Sequence, residues 1–189
     1  MRFCVAGFDD VEEVLDLHFR YQVDSISEED KKDGFVTTPF TREELTALIE
    51  KEKGLFIARE GGAVVAYAMA ASWEFWSVWP MFAHMIKGLH RLSYGGEVLS
   101  TSNSFQYGPI CVDKSVRGTG VLQGLFDFMK ETMASRYPIL VTFVNKNNPR
   151  SFAAHSRKLG LEVIDEFEFN GNHYYEMVCL TASVATEAV

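Results

Sequence analysis

The sequence predicts a mixed α/β domain, with one central mixed, twisted sheet flanked by helices on both faces. Three observations carry this. Segments of helical and strand periodicity alternate along the chain. The run 139–144, Ile-Leu-Val-Thr-Phe-Val, is almost wholly apolar, as in a strand covered on both faces. Gly61-Gly62 and Asn170-Gly171 each separate two strand-like runs and tolerate the positive φ of a tight hairpin.

Val11, Val14, Leu15 and His18 fall at helical spacing and place a first helix over 9–22. The polar stretch 24–34 reads as a loop. Thr41-Arg42-Glu43-Glu44 has capping-box spacing, and Leu45, Leu48 and Ile49 follow on one face, which gives a second helix over 42–52. Strands over 55–59 and 64–71 come next. About 30 residues then intervene before the strand at 104–112. Trp79, Phe82, Ile86 and Leu89 lie at helical spacing there, so an aromatic-rich helical insert is expected between two central strands. A helix over 119–136 presents Leu122, Leu125, Phe126, Met129 and Met133 on one side. After the strand at 139–144 come a helix over 149–159 and a hairpin of strands 162–169 and 173–180. Residues 181–189 show no pattern and are expected to fray from a single domain, 1–180.

Composition limits the function classes. A chain of 189 residues suits one domain, and 47% hydrophobic residues suffice for a core. No apolar run approaches the ~20 residues of a membrane helix. The start of the chain lacks a signal-peptide core, so a cytoplasmic protein without a membrane role is expected. Cys4, Cys111 and Cys179 are widely spaced, which reads as reduced thiols and no metal site. Net charge is −8, from 18 basic and 26 acidic residues, and this argues against a nucleic-acid partner. The segment 114–158 nevertheless carries eight basic residues against Asp127 and Glu131, a local field suited to a small polyanion.

That field surrounds the segment that points to chemistry. A strand ends at Val112, a basic turn and glycines follow, and then a long helix starts. The first N–H groups of a helix lack internal partners and its dipole is positive there. Glycines allow close approach of a phosphate, and Arg117 adds a forked donor. The junction therefore suits an anion, foremost a diphosphate, although a glycine turn by itself is also a plain turn.

Arg117-Gly118-x-Gly120-Val121-Leu122, set between strand and helix, resembles the acetyl-CoA motif Gln/Arg-x-x-Gly-x-Gly/Ala of the Gcn5-related N-acetyltransferases. Leu122 departs from it, standing where Gly or Ala is usual. Asn148-Pro149-Arg150-Ser151-Phe152-Ala153-Ala154-His155, with Gly160-Leu161 beyond, resembles the family's second segment, Asn-x-x-Ala/Ser-x-x-x-Tyr…Gly-Phe. Asn148-Pro149 is equally a plain cap and first-turn pair. The resemblance implies an acyl-CoA N-acyltransferase fold with acetyl-CoA as cosubstrate. It implies contacts to that molecule from Ile110, Cys111 and Val112 on the strand, Arg117, Gly118, Thr119, Gly120, Val121 and Leu122 at the turn, and Asn148 and Ser151 downstream.

The implied reaction is acetyl transfer to a primary amine, foremost of a small molecule, by direct attack in a ternary complex. His155 occupies the place of the family's catalytic Tyr and can protonate the leaving thiolate; Tyr174, Tyr175 or water are rivals, and a core histidine is the plain alternative. Glu74, Glu97 and Tyr107 are candidates for the base that strips the amine. Trp73, Phe75 and Trp76 would wall the acceptor pocket, and Asp24, Glu28, Glu29, Asp30 and Asp33 would attract a cationic amine. The insert also suits packing on a second copy in a homodimer. A non-catalytic acyl-CoA sensor and acetylation of a protein N-terminus or lysine remain alternatives. A dinucleotide oxidoreductase, suggested by Gly118-x-Gly120-x-x-x-Gly124, lacks the acidic residue expected at the end of the next strand, which is Asn145.

Overall fold

The computed structural model describes residues 1–182. Strands β1 (Arg2–Val5), β2 (Leu55–Glu60) and β3 (Ala63–Ala71) form one antiparallel half of the sheet. Helices α1 (Val11–Tyr21), the one-turn α2 (Glu28–Lys31) and α3 (Arg42–Glu52) lie between β1 and β2 in sequence. The insert follows β3 as α4 (Trp73–Trp76), α5 (Pro80–Gly88) and a small hairpin of β4 (Ser93–Tyr94) and β5 (Glu97–Val98). Then come β6 (Ser104–Val112), α6 (Val121–Ala134), β7 (Ile139–Asn145), α7 (Pro149–Ala153), β8 (Glu162–Phe169) and β9 (Asn172–Leu180). The seven-stranded order is β1-β2-β3-β6-β7-β9-β8, and only β6 and β7 run parallel.

Period-two alternation on β3 defines the two faces. Tyr67, Met69 and Ala71 enter one core with α1, α3, α4 and α5. Ala66, Ala68 and Ala70 enter the other with α6. The alanines let α6 lie close, and its Val121, Leu125, Phe126, Met129 and Met133 are all buried there. Each such side chain stabilises the fold by about 1.5–3 kcal/mol on burial. Gly124 serves the same close packing, since a Cβ there would stand 2.4 Å from the Phe3 ring of β1. This explains the glycine that suggested a dinucleotide loop.

The second helix has the expected bounds because its cap forms as read: Thr41 Oγ1 accepts from Glu44 N at 3.2 Å and Glu44 Oε2 accepts from Thr41 N at 2.9 Å. The structure adds β1, whose four residues are too few for a readable alternation. It also adds α2 inside the polar loop, capped by Ser27 Oγ on Asp30 N. The helix expected over 149–159 keeps α geometry only to Ala153 and continues as a π-turn over Ala154–Lys158. Thr181, where fraying was expected to begin, is buried and donates from N to Pro138 O at 2.9 Å and from Oγ1 to Tyr137 O at 2.7 Å. The rest of the expected tail, from 183 on, lies outside the described residues. No helix among the described residues is long and apolar enough to cross a membrane.

Candidate functional site

Strand parting creates the site. β6 and β7 pair only at Ser104–Ile139, Phe105–Leu140 and Gln106–Val141. Beyond Gln106, β6 turns through Gly108-Pro109 and stays paired with β3 on its other edge. The gap is a cavity of about 90 Å³. Tyr107, Val144 and His155 border it from the α6 side, while Val36, Phe40, Phe82, Phe143 and Gln106 border it from the α1 and insert side. The cavity is therefore a passage through the sheet between the two cores.

Two buried polar atoms in its walls lack partners. Gln106 and Tyr107 are both 0% exposed, and neither Gln106 Oε1 nor Tyr107 Oη is hydrogen-bonded among the described residues. The backbone carbonyl of Tyr107, by contrast, accepts twice, from Thr142 Oγ1 at 2.7 Å and Gln106 Nε2 at 2.6 Å. Unpartnered buried polar groups cost free energy, and neither of these atoms is reachable by water in the closed structure. Burial pushes the Tyr107 hydroxyl well above its ordinary pKa, so it stays protonated as a donor and cannot act as the expected base.

His155 packs against the Tyr107 ring at 5.7 Å between centroids. Its Nδ1 lies 2.8 Å from the Ser151 carbonyl oxygen, which can only accept, so Nδ1 carries the proton. Burial lowers its pKa, and the Ser151 carbonyl opposes that only in part. His155 is thus neutral with Nε2 as an acceptor, the opposite of the proton donor expected from sequence.

Past Ile110, which lines the cavity, β6 continues through Cys111 and Val112 towards the glycine turn. Gly118 and Gly120 adopt φ of +81° and +89°, which turns successive N–H groups outward. The amides of Gly118, Gly120, Val121, Leu122 and Gln123 have no hydrogen-bond partner among the described residues. A Cβ at Gly118 or Gly120 would meet nothing within 4 Å, so the cradle is open. Leu122 is half-buried against the α6-side core and leaves that opening clear. Thr119 Oγ1 bonds back to Val116 O at 2.7 Å and shapes the turn.

Several expected contacts are used otherwise. The Arg117 guanidinium does not point a fork at the cradle: Nε donates to Val112 O at 3.0 Å, a terminal nitrogen to Asp33 O at 3.1 Å, and the group stacks 5.1 Å from the Tyr21 ring centroid. Cys111 is buried, and desolvation raises its thiol to about 12, so only its backbone can serve a ligand. Asn148 Oδ1 caps Ser151 N at 3.1 Å, and its Nδ2 donates to Phe35 O at 3.3 Å, so it fixes the loop that walls the passage.

Glu74 is exposed on the α3–α4 flank beside Glu43, Glu44 and Lys51, and the structure does not bring it to the passage. Glu97 is exposed on β5. Trp73 and Trp76 are fully buried, anchored through their indole nitrogens to Ser104 Oγ at 2.9 Å and Gln106 O at 3.1 Å. With Phe75 they stand behind the wall, which Phe35, Phe40, Phe82 and Phe143 form in their place. The acidic loop is largely neutralised: Glu28 pairs with Lys31, Glu29 with Lys32, Asp30 with Lys114, and Asp33 with Lys114 and Arg150. No group of His, Cys, Asp and Glu among the described residues is placed to hold a metal.

Sequence reasoning passed over Gln106, Thr142 and Glu176. The signal existed in each case, a polar residue inside an apolar strand. Glu176 on β9 is 5% exposed with Oε1 unpartnered, and desolvation, with Asp165 opposite it, raises its carboxyl to about 7 against the pull of Arg91.

No protein-family model and no curated protein matches this sequence. Solved structures do match. YncA of Salmonella typhimurium, solved with its cofactor acetyl-CoA, superposes with a TM-score of 0.64 at 13% identity over 97% of this chain and 95% of that one. The phosphinothricin acetyltransferase of Sinorhizobium meliloti, a Gcn5-related protein solved in complex with acetyl-CoA, gives 0.63 at 15% over 95% and 87%. The ribosomal-protein-S18-alanine N-acetyltransferase of Escherichia coli gives 0.62 at 10% over 100% and 98%. The chain thus has the Gcn5-related N-acetyltransferase fold.

Proposed function

We propose that this chain is an N-acetyltransferase that moves an acetyl group from acetyl-CoA to a primary amine within a ternary complex. The observation that carries this is the parting of β6 from β7, on a strand that leads to an open cradle of N–H groups at Gly118 and Gly120–Gln123. The residues present fit the cosubstrate. The cradle suits a diphosphate through helix-terminal and left-handed amides. The β6 edge from Ile110 to Val112 suits an amide-bearing arm. Two of the structures that share the fold are complexes with acetyl-CoA.

When bound, the thioester supplies the activated acyl group. The chain's own residues then divide the remaining work. The passage would align the amine with the carbonyl carbon. The net reaction forms a C–N bond and breaks a C–S bond; nitrogen gives up a proton and sulfur gains one. Tyr107 Oη, kept protonated by burial and unpartnered, is the candidate to give the departing sulfur its proton. His155 Nε2, held as an acceptor by the Nδ1–Ser151 bond, is the candidate to receive the proton from nitrogen. We take the acceptor to be a small molecule, a reading supported by the size of the cavity, about 90 Å³.

Thermal melting with acetyl-CoA, CoA and NADPH tests the reading. A ligand at 100 times its dissociation constant adds about 2.7 kcal/mol of stability, equal to a rise of roughly 5–10 °C for a domain of this size. A rise with acetyl-CoA and CoA is expected; a rise with NADPH alone would refute it. Thiol release against an amine panel separates an enzyme from an acyl-CoA sensor.

A further inference from the structure

We propose that residues 30–35 form a strap that closes the passage on its α1 side, and that the amine enters when this strap swings away. The inference rests on the transferase reading and concerns how the acceptor reaches that same site.

The strap crosses the gap left by the parting of β6 and β7. On the bank that continues β6, Lys114 Nζ lies 3.0 Å from Asp30 Oδ1 and 3.4 Å from Asp33 Oδ2. Arg117 on the same bank donates to Asp33 O at 3.1 Å. On the bank that continues β7, Arg150 lies 3.4 Å from Asp33 Oδ1, and Asn148 Nδ2 donates to Phe35 O at 3.3 Å. Asp33 alone therefore ties the two banks together. Phe35, beside it, is part of the cavity wall.

The strap has one firm end. The Val36 N–H donates to Tyr21 O at 3.0 Å, and the Val36 carbonyl accepts from Val23 N at 2.8 Å. Gln22 Nε2 donates to Thr37 O at 2.9 Å. These bonds hold Val36 and Thr37 to the end of α1 and stay intact when residues 30–35 move. Gly34, at a φ of +92°, supplies the bend next to that anchor, in a conformation that favours glycine. The other moorings are of a different kind. The side chains of Lys114, Asp30 and Arg150 are 44%, 52% and 51% exposed. Ion pairs this wet contribute little and weaken with salt, so solvent can replace them.

The side that the strap closes follows from the cradle. The open amides at Gly118 and Gly120–Gln123 begin α6, and α6 packs on the face of the sheet opposite α1. A cosubstrate seated there leaves the α1 side to the second reactant of a ternary complex. That route is the one Phe35 bars. The acids of the strap then act as fastenings and not as a lure for a cationic amine.

The test places a thiol in the passage and times its modification by methyl methanethiosulfonate. Val144→Cys puts the thiol on the cavity wall, where the native residue is 3% exposed. Thr142→Cys, on the same wall, replaces it if the first variant fails to fold. Peptide mass mapping reads the new site, with its rate taken relative to Cys4 on β1. Adding Asp33→Asn removes two ion pairs and should speed labelling roughly fivefold; adding Asp30→Asn as well should speed it further. Raising salt from about 0.05 to about 0.5 M should speed labelling of the chain with both acids intact about threefold, and that of the doubly neutralised chain hardly at all. Labelling that ignores both the substitutions and salt overturns the proposal, since the probe then enters elsewhere. The melting rise with acetyl-CoA should survive Asp33→Asn; its loss in that variant alone overturns the placement of the strap on the acceptor side. Absence of the rise in the wild type overturns the transferase reading, while the labelling rates still decide whether the strap opens.

Discussion

Glu176→Gln separates the electrostatics of a buried carboxyl from its packing. Glu176 lies on β9 under the insert, opposite Phe143 on β7 and Asp165 on β8. Its carboxyl is raised from 4.5 to about 7, first by desolvation, then by Asp165, with Arg91 opposing. A raised carboxyl is held more tightly as the acid in the fold than in the unfolded chain. Its favourable contribution is therefore complete below pH 4.5 and is lost as pH rises through 7. With ~1.36 kcal/mol for each tenfold change in proton affinity, the rise from 4.5 to about 7 makes the native state about 3 kcal/mol less stable above pH 7 than a neutral isostere would be. The glutamine variant should match the wild type near pH 4.5 and exceed it by up to about 3 kcal/mol at pH 8. That equals roughly 6–12 °C in melting temperature for a domain of this size. Urea unfolding at pH 4.5, 6 and 8, followed by tryptophan fluorescence, measures the difference directly. A difference that does not change with pH, or a wild type that is the more stable at pH 8, would refute the reasoning.

Three further outcomes are expected. His18 is lowered from 6.5 to about 4, chiefly by desolvation. Nε2 accepts from Phe40 N at 3.3 Å, so Nδ1 is the donor to Tyr67 Oη at 2.7 Å. The stability that comes from keeping His18 neutral is full above pH 6.5 and is lost as pH falls toward 4, about 3 kcal/mol in all; an NMR titration in which its ring protonates near 6.5 would contradict this. Arg117→Ala should destabilise the ligand-free chain by about 2–4 kcal/mol, the worth of two charged-donor hydrogen bonds and a stacked ring, and so lower its melting temperature. An unchanged melting point with weaker acetyl-CoA binding would mean that the side chain serves the diphosphate instead. Tyr107→Phe removes a hydroxyl with no partner and should melt no lower than the wild type, yet slow turnover by roughly tenfold or more; equal turnover, read by thiol release, removes Tyr107 from the chemistry.

Most of the architecture was legible in the sequence because the signals are local. The Thr41–Glu44 capping box fixed where α3 starts, and the Asn170-Gly171 turn, with φ of 48° and 75°, fixed the last hairpin. Gly118 and Gly120 marked the cradle because their left-handed conformation disfavours side chains. What escaped was decided by partners far along the chain. Strand β1 exists because the β2 edge was there to receive it, residue for residue from Arg2–Arg59 to Val5–Phe56. The sequence alone showed that Arg117 is a basic residue beside a glycine turn. The Asp33 carbonyl, 84 positions away, determined that its guanidinium braces a loop.

The sequence by itself determined the order of elements, the place of the N–H cradle and the resemblance that suggests acyl-CoA, since periodicity, caps and turns act over a few residues. Tertiary structure alone decided which acids are neutralised, which tautomer His155 holds and which polar atoms are buried without partners. Those depend on desolvation and on groups brought together from distant segments, and desolvation exists only once both cores have closed around the parting of β6 and β7.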